Sequence, residues 1–171
     1  MAQEVRLRMT LFVAVVVAFV VLVVGVATDY WGQSKRTTAI HYGLWKGCGA
    51  IGVSDQSPIR CFSPEDKRVS DWKRASRAFM VLSCLVFGVA IGYVLLLQMK
   101  PKLPSVLLAF ILAISFLCSV TGVAVYTTRS GILQVPGLEF GFSYMLVWGG
   151  IGLNAVAMLL SCCDQAGYHF F

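Results

Sequence analysis

Four long apolar runs, separated by polar segments, dominate the pattern of this chain. They cover residues 9–27, 78–99, 103–128 and 140–163, and none of them contains Asp, Glu, Lys, Arg or His. A helix needs about 20 apolar residues to cross the hydrocarbon core of a bilayer. The pattern therefore predicts four membrane-spanning helices in one domain, residues 1–171, and an all-α membrane protein.

Two polar segments lie on the same side of these predicted helices, a long loop of residues 28–77 and a short connection of residues 129–139. In the loop, the region of Trp45 and the segment from Ile59 to Phe62 have strand character, and glycines with a Ser-Pro pair supply turns. We therefore expect a small β-sheet outside the membrane. The composition agrees, because 58% of the 171 residues are hydrophobic and 13% are charged, which is too apolar for a soluble domain.

Two rules disagree about the side of the membrane on which the loop lies. Nine of the fourteen Lys and Arg residues are in the loop, and a plain count of cations would place it in the cytoplasm. Cys48 and Cys61, however, are a clean cysteine pair, which an oxidising compartment favours. If they pair, the disulfide closes a short loop and stabilises the folded state by roughly 3 kcal/mol. We expect the loop outside the cell and both termini in the cytoplasm.

Charge and motifs exclude several classes of function. The net charge of +6 comes largely from the loop, where the nine cations are interleaved with five acids. Mixed charge is typical of a solvated surface, so we expect no nucleic-acid partner. His41 and His169 lie in separate segments, and no metal-ligand spacing or phosphate-binding motif occurs. The spans also lack the carboxylates and histidines of a proton relay. We expect no enzyme, no transporter, no metal and no cofactor.

A series of motifs along the chain resembles the claudin-like tetraspan superfamily. Trp31, Gly43-Leu44-Trp45, Cys48 and Cys61 follow the order of the W…GLW…C…C signature of that group, which includes claudins, peripheral myelin and epithelial membrane proteins, lens fibre proteins and calcium-channel gamma subunits. The segment Arg77-Ala78-Phe79-Met80 is similar to the start of the second helix, most closely in the lens fibre type. The resemblance continues in the last two runs, at Val125-Tyr126-Thr127, Phe140-Gly141-Phe142-Ser143-Tyr144 and Trp148.

This resemblance implies a left-handed four-helix bundle with an extracellular β-sheet formed mainly by the first loop. It also implies that a disulfide between Cys48 and Cys61 pins the sheet. The residues that it implies for the shape of the loop are Trp31, Gly43, Leu44, Trp45 and Arg77. For Trp31, a simple anchoring role at the membrane interface is an equal alternative.

Small and polar residues within the runs leave two interpretations open. Gly88 and Gly92 have the spacing that lets two helices approach closely in lipid, and packing within the bundle is favoured over contact between molecules. A second small face in the last run comprises Gly149, Gly150 and Gly152. Asn154 is the strong polar side chain deep in a span, and we expect it to make an interhelical hydrogen bond.

The remaining cysteines fall into two groups. Cys162 and Cys163 lie at the predicted cytoplasmic end of the fourth run, where juxtamembrane cysteines are candidates for S-palmitoylation. Free thiols at a helix end are an equal alternative. Cys84 and Cys118 lie inside runs, and we expect them to act as small apolar packing residues.

The sequence favours a non-enzymatic, multi-pass plasma-membrane protein at cell junctions that mediates cell–cell contact or membrane organisation through its loop. The expected partners are membrane lipid, a second copy of the chain in the same or a facing membrane, or another membrane protein. One alternative is an auxiliary subunit of an ion channel or receptor, because Thr28-Asp29-Tyr30-Trp31 resembles the gamma subunits. A paracellular barrier or channel at tight junctions is a third.

Overall fold

Four helices form most of the computed structural model, which describes residues 2–35, 40–50, 59–62, 70–100, 103–132 and 137–169. They are α1 (Ala2–Ala27), α2 (Asp71–Met99), α3 (Ser105–Arg129) and α4 (Phe142–His169). By length and composition, each helix contains a segment able to cross a membrane. The predicted membrane protein of four long apolar helices is confirmed.

The bundle pairs the first helix with the last. α1 packs mainly against α4 and α2 mainly against α3, while smaller α1–α2 and α3–α4 contacts close the ring. Two glycines allow the close approach of α1 and α4. A Cβ on Gly25 would lie 2.8 Å from the backbone nitrogen of Val147, and one on Gly150 would lie 2.9 Å from Cα of Leu22. Packing within the bundle therefore explains Gly150.

Each helix has one buried stripe and one outward stripe. The buried stripe of α2 comprises Ser76, Met80, Ser83, Phe87, Ala90, Val94 and Leu97. On the other side of α2, Leu85 and Val89 are 65% and 61% exposed. Large apolar side chains at this density would form an oversized exposed patch on a soluble protein, so the outward stripes face lipid.

Packing within the bundle, the favoured interpretation of Gly88 and Gly92, is wrong. Both residues lie off the buried stripe of α2, and a Cβ added to either would meet no atom within 4 Å. Gly152 on α4 is equally open. Spacing alone identifies a small helix face, but it does not say whether that face points into the bundle or out toward lipid.

The second helix begins well before its apolar run. α2 starts at Asp71, whereas the apolar run starts at Ala78. The carboxylate of Asp71 stabilises the positive end of the helix dipole, and the ring of Trp72 packs against that of Tyr126 at a centroid distance of 6.0 Å. A helix of 29 residues is about 43 Å long, which exceeds the roughly 30 Å hydrocarbon core. The first turns of α2 therefore stand above the core.

A five-stranded antiparallel sheet covers one end of the bundle. Its strands are β1 (Gly32–Ser34), β2 (His41–Tyr42), β3 (Gly47–Ala50), β4 (Ile59–Phe62) and β5 (Leu138–Phe140), in the order β4-β3-β2-β1-β5. Four strands come from the first loop. The connection between α3 and α4 adds β5 against β1. This strand was not predicted from the sequence, because three residues carry too little pattern to identify a strand.

The implied disulfide is confirmed. Cys48 in β3 and Cys61 in β4 are directly opposite each other in the antiparallel register. Their Cα atoms are 4.0 Å apart and their sulfur atoms are bonded. The bond therefore joins the edge strand β4 to the rest of the sheet.

Candidate functional site

Two tryptophan side chains fasten the sheet to the end of α1. The indole Nε1 of Trp31 donates a hydrogen bond of 2.9 Å to the carbonyl oxygen of Gly25. Trp45 does the same at 2.8 Å with the next carbonyl, that of Val26. The last carbonyls of a helix have no partner within the helix. Because Trp31 is completely buried, it caps α1 from within the protein and does not serve as an anchor exposed to lipid.

An aromatic cluster surrounds the ring of Trp31. Tyr126 of α3 lies edge-on to it at a centroid distance of 4.7 Å, and Tyr144 of α4 lies edge-on at 6.2 Å. Phe140 of β5 stacks on Tyr144 at 4.2 Å. Aromatic pairs of this kind add about 0.5–1.5 kcal/mol each beyond area burial. The cluster therefore links the sheet to α3 and α4.

Arg77 joins α2 to the turn that carries Leu44 and Trp45. Its Nε donates a 2.7 Å hydrogen bond to the carbonyl of Leu44, and an Nη donates one of 3.4 Å to that of Trp45. The guanidinium carbon also lies 5.4 Å from the centre of the Trp45 ring. The planar guanidinium of arginine can donate to two carbonyls and lie over a ring at the same time, and the single ammonium of lysine cannot reproduce this geometry. Leu44 is fully buried beneath the turn.

Position 43 requires glycine, because its backbone lies too close to Asp29 for a side chain. A Cβ on Gly43 would overlap the backbone and side chain of Asp29. The carboxylate of Asp29 accepts the N–H of Lys46 at 3.2 Å, and the N–H of Gly43 donates to the carbonyl of Lys46 at 2.7 Å. Asp29 therefore shapes the turn. This role was not predicted from the sequence, although an acidic residue just after a span was a usable signal.

A second junction connects the end of α1 to the start of α4. The backbone N–H of Tyr30 donates to Oγ of Ser143 at 3.1 Å, and the N–H of Ser143 donates to the carbonyl of Tyr30, also at 3.1 Å. Thr28 donates its hydroxyl to Ser143 as well, at 2.8 Å. A Cβ on Gly141 would overlap the carbonyl of Tyr30. This junction was not predicted from the sequence, because its partners are more than 100 residues apart.

Inside the bundle, polar side chains bridge neighbouring helices. Nδ2 of Asn154 in α4 donates to the carbonyl of Leu112 in α3 at 3.3 Å, which is the kind of interhelical contact expected for it. Its Oδ1 has no hydrogen-bond partner within the described ranges. Ser83 of α2 and Ser115 of α3 each donate to the carbonyl of the other, at 2.9 and 3.1 Å. This serine pair was not predicted from the sequence.

The remaining cysteines lie outside the sheet. Cys162 and Cys163 are exposed and reduced, at the end of the membrane-crossing segment Phe142–Cys163. Their lipidation stays a prediction. Cys84 and Cys118 are partly buried in α2 and α3.

The sheet end of the protein combines several attachments to the helices with exposed cations. Across the described residues, no group of three or more His, Cys, Asp or Glu side chains is placed to hold a metal ion. The exposed side chains on the sheet include Tyr42, at 42%, Lys46 and Arg60. These residues are suited to contact with a partner surface.

Four membrane-spanning helices beneath a disulfide-pinned sheet define a tetraspan membrane protein. Residues 4–160 match the PMP-22/EMP/MP20/Claudin family, and the chain belongs to this family. It is 30% identical to the lens fiber membrane intrinsic protein of Bos taurus, with 86% of this chain and 84% of that protein covered. It is 26% identical to epithelial membrane protein 1 of Homo sapiens, with 81% and 83% covered. Members of the family are non-enzymatic membrane proteins.

Proposed function

We propose that this protein is a structural component of the plasma membrane that mediates contact between cells, or organises the membrane, through its sheet. The double capping of α1 by the indoles of Trp31 and Trp45 is the observation that carries the proposal. It fixes the sheet relative to the bundle, and Arg77 reinforces the attachment from α2. A surface that is rigid before binding loses little conformational entropy on association.

The proposed contact surface is the exposed part of the sheet around Tyr42, Lys46 and Arg60. Tyrosine and arginine are enriched among the residues that dominate binding energy at protein interfaces. The partner is a second copy of the chain or another membrane protein. The bonded pair Cys48–Cys61 supports an extracellular position for this surface and cytoplasmic termini, because disulfides persist in oxidising compartments.

The second candidate is an auxiliary subunit that regulates an ion channel or receptor. The Thr28–Trp31 segment, which resembles the gamma subunits, favours it, since this segment contributes both to the cap of α1 and to the Ser143 junction. In this case the same sheet surface would dock on the ectodomain of the channel. A paracellular barrier or channel is a third candidate, in which sheet surfaces of several copies would meet.

An aggregation experiment tests the contact function. Cells that do not adhere to one another are made to express the protein, and we expect them to aggregate. The double variant Lys46→Glu, Arg60→Glu should reduce aggregation at equal surface expression, because it reverses the charge of the sheet surface. Arg6→Glu is the matched control, since Arg6 is exposed at the opposite end of the bundle.

Crosslinking and affinity purification from the native membrane separate the candidates. Recovery of the chain itself, or of an adhesive membrane protein, supports contact or organisation. A pore-forming channel subunit as the dominant partner, together with an absence of aggregation, would overturn the contact function and favour the auxiliary subunit.

A further inference from the structure

Lys73 and Arg77 place two cations on one face of α2, one turn apart, at the sheet end of the bundle. Side chains four residues apart on a helix are neighbours. The guanidinium of Arg77 lies over Trp45 and against its turn. Lys73 is half-buried beside it and is influenced electrostatically by both Arg77 and Asp29. The exposed Lys46 adds a third cation to the same turn.

Among the residues that the structure describes, the carboxylate that acts on Lys73 is that of Asp29. Burial and the neighbouring Arg77 both disfavour the positive charge of Lys73, and the carboxylate of Asp29 opposes them. Within the described part of the chain, Lys73 forms no ion pair, whereas Arg74, the next residue, pairs with Asp71 at 3.8 Å. Counted over the described residues, the three cations and Asp29 leave this group with a net positive charge, which an external anion would neutralise.

The depth of these cations in the membrane identifies the source of that anion. The apolar part of α2, residues 78–99, is about 33 Å long and matches the roughly 30 Å hydrocarbon core. Lys73 and Arg77 then lie within about 8 Å above it, which is the thickness of the headgroup layer on one side. A tryptophan such as Trp45 is also typical of this depth.

A lipid-facing path leads from the cations down α2. Arg77, Val81, Gly88 and Gly92 follow one another at spacings of four, seven and four residues on the same helix face. Val81 is 40% exposed, and a Cβ on either glycine would meet no atom of the described residues within 4 Å. The two glycines therefore leave a shallow notch in the outward surface of α2, below the cations. A lipid acyl chain has the shape and polarity to fill it.

We propose that Lys73 and Arg77, with Lys46 beside them, bind the phosphate of a phospholipid headgroup on the sheet side of the membrane, and that an acyl chain of the same lipid lies along Gly88 and Gly92. The ammonium of Lys73 binds the phosphate as a point charge. Arg77 holds the turn and contributes its remaining charge. The phosphate thus supplies a counter-ion for the positive charge of these described residues.

Native mass spectrometry of the full-length protein in detergent tests the headgroup contact, with phosphatidylglycerol as the probe. We expect Lys73→Gln to weaken binding about fivefold, the effect of one cation at a lipid surface. Lys73→Arg should retain binding. Arg74→Gln is the matched control, because it removes an adjacent cation that already has a partner. Equal losses in Lys73→Gln and Arg74→Gln would overturn the proposal, since only general surface charge would then matter.

Two further measurements define the ligand. Diacylglycerol, which has no phosphate, should bind at least fivefold more weakly than phosphatidylglycerol, by about the same factor as the loss of the cation. Equal binding would overturn phosphate recognition. Inorganic phosphate should not displace the lipid, and displacement would indicate a site for free phosphate instead.

The acyl-chain contact has its own variant and control. Gly92→Leu should weaken phosphatidylglycerol binding, because it fills the notch on α2. Gly152→Leu on α4 should leave binding unchanged, since this glycine is equally open but lies on a different helix. If Gly92→Leu and Gly152→Leu changed binding equally, the proposed acyl-chain contact at the notch would be overturned. The midpoint of thermal unfolding and the state of the Cys48–Cys61 bond are measured for each variant, so that lost binding is not confused with lost folding.

Discussion

The Trp45 indole donates a 2.8 Å hydrogen bond to the carbonyl of Val26, and Arg77 lies over the same ring at 5.4 Å. One side chain therefore connects the end of α1, the turn before β3 and the start of α2. Hydrogen bonds from Arg77 to the carbonyls of the turn, and from the N–H of Lys46 to Asp29, reinforce the same connection. The relative position of sheet and membrane depends on this contact and on the corresponding one of Trp31.

Trp45→Phe should lower the free energy of unfolding by about 1 kcal/mol or more. The substitution keeps an aromatic ring beside Arg77 but leaves the carbonyl of Val26 without its donor. Thermal unfolding of the purified protein in detergent measures the effect. Trp148→Phe is the control, because Trp148 is 44% exposed on the lipid side. Equal stability of the two variants would contradict the capping role.

Gly43→Ala should prevent the turn from forming, because the new Cβ would overlap Asp29. Gly49→Ala is its control within the same sheet, since a Cβ there meets no atom within 4 Å. We expect Gly43→Ala to be retained inside the cell and Gly49→Ala to reach the surface, as measured by surface biotinylation. Normal delivery of Gly43→Ala would mean that the turn tolerates a rearrangement.

Much of this architecture follows from the sequence for a physical reason. Lipid imposes long uninterrupted apolar runs, so the helices were visible without any alignment. The roles of Trp31, Trp45 and Arg77 came from their resemblance to a known motif. Their chemistry is that of indole and guanidinium donors that bind helix and turn carbonyls. It became evident only in the structure, where the end of α1, the turn before β3 and the start of α2 lie together.

The remaining features depend on contacts that no local pattern encodes. β5 is a strand because it pairs with β1, more than 100 residues earlier. Ser143 is important because Tyr30 folds back onto it. The direction of Gly88 and Gly92 was predicted wrongly, because spacing defines a face of a helix but only the packing of the other helices decides which face is buried.

Cys48→Ser and Cys61→Ser should each block delivery to the cell surface. A disulfide in a small domain contributes about 2–5 kcal/mol, and a sheet of short strands has little other stabilisation. Cys118→Ser is the control, because this partly buried cysteine in α3 is reduced. Non-reducing gels of the mature protein provide the second measurement: free thiols at both loop cysteines would contradict the extracellular position of the sheet.

Ser83→Ala should destabilise the bundle more than Asn154→Leu. Ser83 donates to the carbonyl of Ser115 and lies 3.0 Å from its hydroxyl, so its removal costs about 1 kcal/mol. Asn154 makes one long hydrogen bond, and its buried Oδ1 has no partner among the described residues. Leucine removes that unsatisfied oxygen along with the bond, so the net change should be near zero. Equilibrium unfolding in mixed detergent compares the two variants.

Gly150→Ala and Gly92→Ala should change stability in opposite directions. The alanine Cβ at position 150 would press on the backbone of Leu22 and separate α1 from α4, whereas the one at position 92 enters open space. Overpacking costs about 1–3 kcal/mol, while replacing an unconstrained helix glycine by alanine gains up to about 1 kcal/mol. The midpoints of unfolding in detergent measure the stability change of each variant, and no facing membrane is present in that experiment. Destabilisation by Gly92→Ala would show that this face of α2 packs against protein, either within the bundle or in a second copy, and would remove the notch on which the acyl-chain contact depends.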